Sequence, residues 1–277
     1  MREVELPKYI VRFGSMRTLG VMGVRGRDEY RRGQDVIVRS NRGLEIGSVL
    51  CEATDDALSH LDEPPVGQIL RLMTGDDQNE ARHLESQKSG KLDACRRLMV
   101  ESGLPMQLVD IEHLFGGERI VVYFLSEDRI DFRDLVKALA TEFQTRIEMR
   151  QIGVRDEAKL LADYGDCGQP ICCATHLSKM PPVSMKMAKI QKATLDPTKI
   201  SGRCGRLKCC LRYEFDTYLE MRQELPPIGA QIVTARGHAK VIDHEILAQQ
   251  VLIETEDHRR VLIDAGEVLS IVRKHQT

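Results

Sequence analysis

Two nine-residue segments constrain this chain more than any other feature, because they repeat one cysteine pattern. Residues 165–173 read GDCGQPICC and residues 202–210 read GRCGRLKCC, so both follow G-x-C-G-x-x-x-C-C. They contain six of the eight cysteines, namely Cys167, Cys172, Cys173, Cys204, Cys209 and Cys210. Since 30 residues separate Cys173 from Cys204, any fold of this chain has to accommodate two similar thiol-rich loops.

The two cysteine triplets have the chemistry of a metal centre. Thiolates in short loops are the ligands of structural zinc and of iron–sulfur clusters, and either centre takes four of them. Gly168 and Gly205 follow the first cysteine of each triplet and predict a tight turn there. We therefore interpret the triplets as two half-sites and predict ligation by the six cysteines as a set. The spacing leaves zinc and iron–sulfur nearly even, and it leaves open which four thiols bind one centre.

The composition of the chain indicates the cellular compartment in which these thiols are expected. The chain has 277 residues, 42% apolar and 30% charged, and a net charge of −2, which argues against wholesale binding of nucleic acid or membrane. The N-terminus MREVELPKYIVRF lacks the apolar run of a signal peptide, and no stretch approaches the ~20 apolar residues of a membrane span. We predict a cytoplasmic protein without membrane insertion, in which thiols stay reduced and serve metal or redox chemistry.

Pairs of consecutive prolines indicate the domain organisation, because neither residue donates a backbone hydrogen bond. Pro64-Pro65 and Pro226-Pro227 are taken as domain edges. The predicted segments are a β-rich, barrel-like domain at 1–63, an α+β domain at 66–163, a cysteine-rich metal-binding segment with a following helix at 164–225, and a small β-barrel at 228–277.

The predicted fold class is α+β. Short runs rich in Val and Ile, with glycines at their joints, predict a small N-terminal β-barrel over roughly residues 6–60. The central α/β sheet domain should have helices on one face of a mainly antiparallel sheet, followed by the cysteine-rich insertion. Alternating Val and Ile after Pro227 predict a C-terminal SH3-like β-barrel. Cys51, on a strand, and Cys95, on a helix face, are expected to be core residues.

The segment from His176 to Arg212 is strongly basic. It has nine Lys or Arg residues and one acid, Asp196, a local charge of +8 in a chain of net charge −2. These cations would offset a thiolate-rich centre, present a surface to RNA or an acidic partner, or simply form a solvated face. Aromatic residues for base stacking are absent there apart from Tyr213 nearby, so RNA binding is possible but not favoured.

Catalysis has weaker support in the sequence. Cys173 and His176 lie three residues apart and define a thiol oxidoreductase as a third alternative, after a metal-stabilised regulator and a zinc-stapled RNA-binding module. The chain has no Walker loop, HExxH, G-x-S-x-G or G-x-G-x-x-G motif. We therefore predict a protein that is not an enzyme.

Three stretches resemble a known bacterial family. YGDCGQPICCATHL, VSMKMAKIQKATLDPTKISG and GRCGRLKCCLRYE are similar to the YaaT/RicT family, the stage 0 sporulation protein YaaT-like proteins with a PSP-type C-terminal domain. The resemblance extends over about residues 8–225. It implies a cytoplasmic regulator that assembles with small helical proteins of the YlbF and YmcA types, carries [4Fe-4S] clusters and promotes mRNA processing by the endoribonuclease RNase Y.

The resemblance also bears on the ligands. All six motif cysteines fall on the family's cysteine positions, so ligation of a [4Fe-4S] cluster, with zinc as the alternative, is implied for them as a set. Adjacent cysteines rarely both reach one iron, which favours a second cluster shared with a partner. His176 departs from the family, in which an aromatic residue is expected, and we interpret it as a neutral substitution rather than an extra ligand.

Overall fold

A computed structural model describes residues 6–26 and 28–272. The chain forms two compact units. The first compact unit extends to Met180 and also includes Arg203–Gly205, and the second consists of Pro181–Gly202 and the chain from Arg206 onward. The outer limits of the first and last predicted domains, at residues 1 and 277, lie outside the described residues.

The first compact unit begins with a closed five-stranded barrel, which confirms the predicted N-terminal barrel. Its elements are β1 (Lys8–Phe13), β2 (Thr18–Val24), β3 (Asp35–Arg39), β4 (Leu44–Glu52), α1 (Asp55–Ser59) and β5 (Val66–Leu72). The strand order is β1-β2-β5-β3-β4, with β4 pairing back to β1. Alternating Tyr9, Val11 and Phe13 point inward from β1, as the two-residue period of a strand requires.

The barrel continues beyond Pro64-Pro65, where the sequence placed a domain edge. Strand β5 follows the proline pair and lies between β2, to which it is parallel, and β3, to which it is antiparallel. The carbonyl of Pro65 accepts a hydrogen bond from Val21 N at 2.9 Å. Proline lacks only the donor, so its carbonyl can still join the start of a strand.

A three-stranded sheet follows, with helices before, within and after it. Its elements are α2 (Gly75–Ser102), β6 (Gln107–His113), β7 (Arg119–Leu125), α3 (Arg133–Phe143), β8 (Arg146–Gln151) and α4 (Val154–Leu161). Strands β6 and β7 are antiparallel, whereas β7 and β8 are parallel and joined through α3. The mixed α+β class is confirmed, but the sheet contains one parallel pair where the sequence suggested a mainly antiparallel one.

Both faces of this sheet are covered. Helices α2 and α3 pack on one face through Cys95, Met99, Leu135 and Leu139. On the other face, Met16 from the β1–β2 turn packs with Val109, Val121, Tyr123 and Ile152, and Leu160 of α4 lies against this cluster. Helices on one face only, as predicted, would have left this second apolar surface in water.

A buried polar network joins the barrel to the sheet. Arg42 donates to Glu45 Oε1 at 2.5 Å, to Glu112 Oε2 at 2.7 Å and to the Tyr123 hydroxyl at 3.1 Å. Tyr123 donates to Glu112 at 2.6 Å, and Ser15 N donates to the other Glu112 oxygen at 2.7 Å. Burial alone would lower the pKa of Arg42, but the carboxylates of Glu112 and Glu45 outweigh burial and raise it. The guanidinium therefore stays charged as the counter-ion of both carboxylates.

Short helices connect the sheet to the C-terminal part: α5 (Cys172–Thr175), α6 (Met185–Ile190), α7 (Pro197–Ile200), α8 (Cys210–Tyr213) and α9 (Phe215–Gln223). The single helix expected after Cys210 is divided at Glu214 into α8 and α9. Within residues 6–26 and 28–272, no helix has both the length and the apolar character needed to cross a membrane.

The second compact unit ends in a five-stranded antiparallel sheet. Its strands are β9 (Gln231–Thr234), β10 (Gly237–Glu245), β11 (Gln250–Thr255), β12 (Arg260–Asp264) and β13 (Val268–Val272). They have the order β12-β11-β10-β9-β13, and a 3-10 helix (Ala265–Glu267) precedes β13. Val241, Val251 and Ile253 are in its core. The sequence predicted an all-β segment here, and the SH3-like assignment stays a prediction.

Candidate metal centre

The first cysteine triplet is held by a short hairpin followed by one helical turn. Tyr164 and Pro170 pair as an antiparallel bridge, and Gly165 N donates to Gln169 O at 2.8 Å. Between them Gly168 has a φ of +77°, a left-handed conformation that glycine adopts without strain. Cys167 is in the turn, and Cys172 and Cys173 begin α5. The hairpin thus places three thiols on two adjacent short elements.

The second triplet is held by a hairpin of the same kind. Ser201 and Leu207 form the equivalent bridge, and Gly202 N donates to Arg206 O at 2.8 Å. Gly205 has a φ of +72°. The next hydrogen bond also recurs, from Ile171 N to Asp163 O at 3.2 Å in one copy and from Lys208 N to Ile200 O at 2.9 Å in the other. The sequence repeat is therefore a structural repeat.

The thiols of both copies are accessible to a ligand. None of the eight cysteines forms a disulfide bond; Cys167 is exposed, and the five other motif cysteines, Cys172, Cys173, Cys204, Cys209 and Cys210, are half-buried. Of the two cysteines expected in the core, Cys95 is fully buried, and burial raises its pKa to about 11. Cys51 is exposed near the end of β4, so the prediction of a core position was wrong for it.

The thiol of Cys210 loses its proton less readily than an ordinary cysteine thiol. Burial raises the pKa of Cys210, and the negative charges of Glu214 and Cys209 raise it further. The backbone N–H groups of Cys210 and Leu211 act in the opposite direction, because they donate to the sulfur. A cation bound at this position would favour the thiolate over the thiol, since metal ligation requires loss of the proton.

The donor set fits a thiolate-ligated metal in chemical type, because it consists of thiols that form no disulfide bond. Across the described ranges, however, no three His, Cys, Asp or Glu side chains are grouped so as to hold a metal ion. His176 is exposed, and its Nδ1 lies 3.1 Å from Thr175 Oγ1. Each triplet has three thiols, so a centre with four thiolate ligands would need at least one ligand from outside a single triplet.

A salt bridge connects the turn that contains Cys167 to the turn that contains Cys204. Arg203 belongs to the first compact unit, where its Nε lies 3.4 Å from Asp166 Oδ1 and donates to Tyr164 O at 3.2 Å. Asp166 directly precedes Cys167, and Arg203 directly precedes Cys204. The sequence reading missed this pair, although opposite charges at the same position of the two motifs were a signal for it.

Several cations of the basic segment bind carboxylates of this protein. Lys179 lies 3.3 Å from Asp62, and Arg212 lies 2.8 Å from Asp216. Lys192 contacts Asp243 at 2.7 Å and Glu245 at 3.1 Å. Together with Arg203, at least four of the nine cations bind a described carboxylate. The local charge of +8 therefore overstates the positive charge available to an external polyanion.

Comparison with known proteins assigns the chain to a family. Residues 67–152 match the family described as "PSP1 C-terminal conserved region", and residues 182–225 match "PSP1-like protein, third domain". Stage 0 sporulation protein YaaT of Bacillus subtilis (strain 168) is 44% identical over 227 residues, which are 82% of this chain and 82% of that protein. The chain belongs to the YaaT family.

A more distant relative aligns over a shorter region. The uncharacterized protein PB7E8.02 of Schizosaccharomyces pombe (strain 972 / ATCC 24843) is 24% identical over 140 residues, which are 41% of this chain and 19% of that protein. No solved structure matches the chain. The first cysteine triplet, at 167–173, falls between the two family regions, whereas the second lies inside 182–225.

Proposed function

We propose that this protein is a non-enzymatic regulatory scaffold whose six motif cysteines hold a [4Fe-4S] cluster. The observation that carries the proposal is the repeated hairpin and helical turn, which presents thiols outside any disulfide bond at equivalent sequence positions twice. Membership of the YaaT family supports a regulatory role, because the relative from B. subtilis is described as a sporulation protein. When bound, such a cluster supplies an oxygen-sensitive redox centre.

The chain's own residues would bind and position the centre. Gly168 and Gly205 allow the turns, and the backbone N–H groups at the start of α8 donate to the Cys210 sulfur. The pair Arg203–Asp166 ties the second turn to the first. Since two adjacent cysteines rarely reach one iron, Cys172–Cys173 and Cys209–Cys210 have thiols in excess of one centre. We propose that the excess thiols serve a cluster shared with a partner.

The proposed partners are small helical proteins of the YlbF and YmcA types, and the proposed output is mRNA processing by RNase Y in the cytoplasm. The hairpins and short helices of residues 163–213 contain few buried apolar residues, among them Ile171, Ala174, Ala188, Ile200 and Leu211. A segment with so small a core depends on its metal for order. Loss of the centre would then disorder the surface that binds partners.

Anaerobic purification of the full chain tests this proposal. We expect a brown protein containing iron and sulfide, bleached by air, and loss of iron when Cys167 and Cys204 are replaced by Ser. The matched control is Cys51→Ser, because Cys51 is exposed on the barrel and outside the repeat. A colourless protein with stoichiometric zinc would contradict the cluster, and one without any metal would contradict both metal centres.

The second candidate is a zinc-stapled RNA-binding module. A cleft of about 310 Å³ in the second compact unit supports it, since Lys186, Lys189, Lys192 and Arg222 line it. Because Lys192 is already paired with Asp243, Lys186 and Lys189 are the better probes. This candidate requires zinc, and RNA affinity that falls steeply with salt and weakens in Lys186→Gln and Lys189→Gln. The SH3-like assignment of the C-terminal sheet belongs to the same proposal, as a platform for binding.

A further inference from the structure

A second cleft, in the first compact unit, brings together cations from distant parts of the chain. It has a volume of about 290 Å³. Arg12 on β1, Arg17 in the β1–β2 turn, Arg150 on β8 and Lys159 on α4 line it. The thiol of Cys173 and the acids Asp62 and Asp156 also line it, together with Thr18, Thr175 and Ser178. Cations from four separate elements therefore face one small volume.

These cations differ from three other half-buried cations of the same unit. Arg42, Lys88 and Arg119 each bind a carboxylate, at distances of 2.5 to 2.8 Å. Arg12 and Arg17 are also half-buried, yet neither forms a salt bridge with any described residue. Burial lowers the pKa of Lys159, and only the more distant charges of Cys173 and Asp156, outside salt-bridge range, act against it. A half-buried charge without a counter-ion is unfavourable. An external anion would remove that cost.

The acids of the cleft do not neutralise it. Asp62 is already paired with Lys179, which lies 3.3 Å away and also donates to Ser59 O at 2.8 Å. Asp156 is then the one other carboxylate in a lining with four cations. A cation–π contact positions Arg150, because its guanidinium lies over the Tyr123 ring at 5.9 Å from the ring centroid. The cleft keeps an excess of positive charge.

The backbone fixes Arg17 at the edge of this cleft. Its φ is +49°, which is uncommon for a residue with a Cβ. Three contacts hold the turn: Arg17 N donates to Gly14 O at 2.9 Å, Ser15 N donates to Glu112 at 2.7 Å, and Met16 is buried against the sheet. Backbone strain that the surrounding structure maintains is typical of binding sites. Arg17 is thus positioned before any ligand arrives.

We propose that this cleft binds the phosphate group of a small phosphorylated molecule. Guanidinium groups match phosphate oxygens in pairs, and the ammonium group of Lys159 can donate to a further oxygen. The volume is close to the lower limit of about 300 Å³ for small-molecule pockets, which favours a compact ligand over a polymer strand. Cys173, one of the proposed metal ligands, also lines this cleft, so the iron content of each variant is measured beside its affinity to keep failure of the two proposals distinguishable.

Isothermal titration of the full chain tests the site with three probes: inorganic phosphate, ribose 5-phosphate and a short single-stranded RNA. We expect ribose 5-phosphate to bind, and Arg17→Gln and Lys159→Gln each to weaken it about tenfold, as loss of one charge-assisted hydrogen bond does. Arg133→Gln is the matched control, because Arg133 is exposed on α3 and paired with Asp131.

Circular dichroism confirms folding of each variant, and Lys159→Gln gives an independent answer if the strained turn fails to tolerate Arg17→Gln. Equal affinity of wild type and both variants would overturn the proposal, as would the absence of binding by both small probes. Binding of the RNA alone would also overturn it, since the phosphate chemistry would then belong to a polymer surface.

Discussion

Arg203 Nε lies 3.4 Å from Asp166 Oδ1, and this contact joins the residues that directly precede the first cysteine of each triplet. Both side chains are about half exposed, so the pair by itself contributes only about 0–1 kcal/mol to stability. Its importance is positional. The contact holds the turn of Cys204 beside the turn of Cys167 within one compact unit, and a centre that draws on both triplets depends on that proximity.

Arg203→Ala should therefore lower metal retention far more than it lowers stability. We expect the free energy of unfolding of the metal-free protein, measured in urea, to change by less than about 1 kcal/mol. Iron should be lost faster to a chelator from this variant than from wild type. Arg133→Ala, which breaks the exposed pair with Asp131, is the control and should leave chelation unchanged. Identical chelation kinetics in wild type and Arg203→Ala would show that the pair has no role in the centre.

Thiol labelling should divide the eight cysteines into three groups. In the native metal-free protein, Cys95 should resist maleimide, because it is fully buried and burial raises its pKa to about 11. Cys51 is exposed and should react in every state, which makes it an internal control. Reconstitution with iron and sulfide should protect the six motif cysteines only. Mass spectrometry reads each site, and motif thiols that label equally with and without iron would contradict ligation.

The two turn glycines should be sensitive to a single methyl group. Gly168 and Gly205 have φ values of +77° and +72°, and no atom lies within 4 Å of the position that a Cβ would occupy. Substitution by Ala therefore costs backbone strain of about 1 kcal/mol without a steric clash. We expect reduced iron content in each variant. Gly90→Ala is the matched control, since Gly90 is within α2 and Ala should stabilise that helix by about 0.5–1 kcal/mol.

The buried network around Arg42 should dominate the stability of the first compact unit. Arg42→Ala leaves Glu45 and Glu112, which are 2% and 8% exposed, without their counter-ion. The expected loss is about 3–5 kcal/mol in the free energy of unfolding, measured in urea. Lys137→Ala, which removes an exposed pair with Asp134, should change it by less than about 0.5 kcal/mol. Similar losses in the two variants would be inconsistent with a network that joins barrel and sheet.

The start of α2 should make stability dependent on acid pH. The hydrogen bond from Arg71, followed by that from Thr74 N, holds the pKa of Asp77 well below its usual range. A carboxyl with a lowered folded pKa stabilises the protein above its unfolded pKa of about 3.9, and this contribution is lost as the pH falls below that value. Asp77→Asn should therefore be less stable than wild type at pH 7, and the difference should shrink towards pH 2.

Urea titrations across this range measure the difference directly. Glu101→Gln, at the exposed C-terminal end of the same helix, is the control and should show no comparable dependence on pH. A stability difference between wild type and Asp77→Asn that stays constant from pH 7 to pH 2 would exclude the proposed role of the ionised carboxylate.

Local sequence patterns predicted most of the elements. Short runs rich in Val and Ile, with glycines at their joints, predicted β1 to β4, and apolar residues on one helical face predicted helices in the central domain. The repeated motif predicted two equivalent loops, since Gly168 and Gly205 fix their turns by backbone preference alone. Such signals involve only neighbouring residues.

Only the tertiary structure determined which elements and side chains distant in sequence contact each other. The fifth barrel strand follows Pro64-Pro65, and Met16 leaves the barrel to cover the second face of the sheet. The pairing of Arg203 with Asp166 and the convergence of Arg12, Arg17, Arg150 and Lys159 on one cleft likewise join residues far apart in sequence. Periodicity shows which face of an element is buried, but only packing determines what that face meets. The cysteine repeat was therefore readable from the sequence, whereas the contact that brings its two first turns together was not.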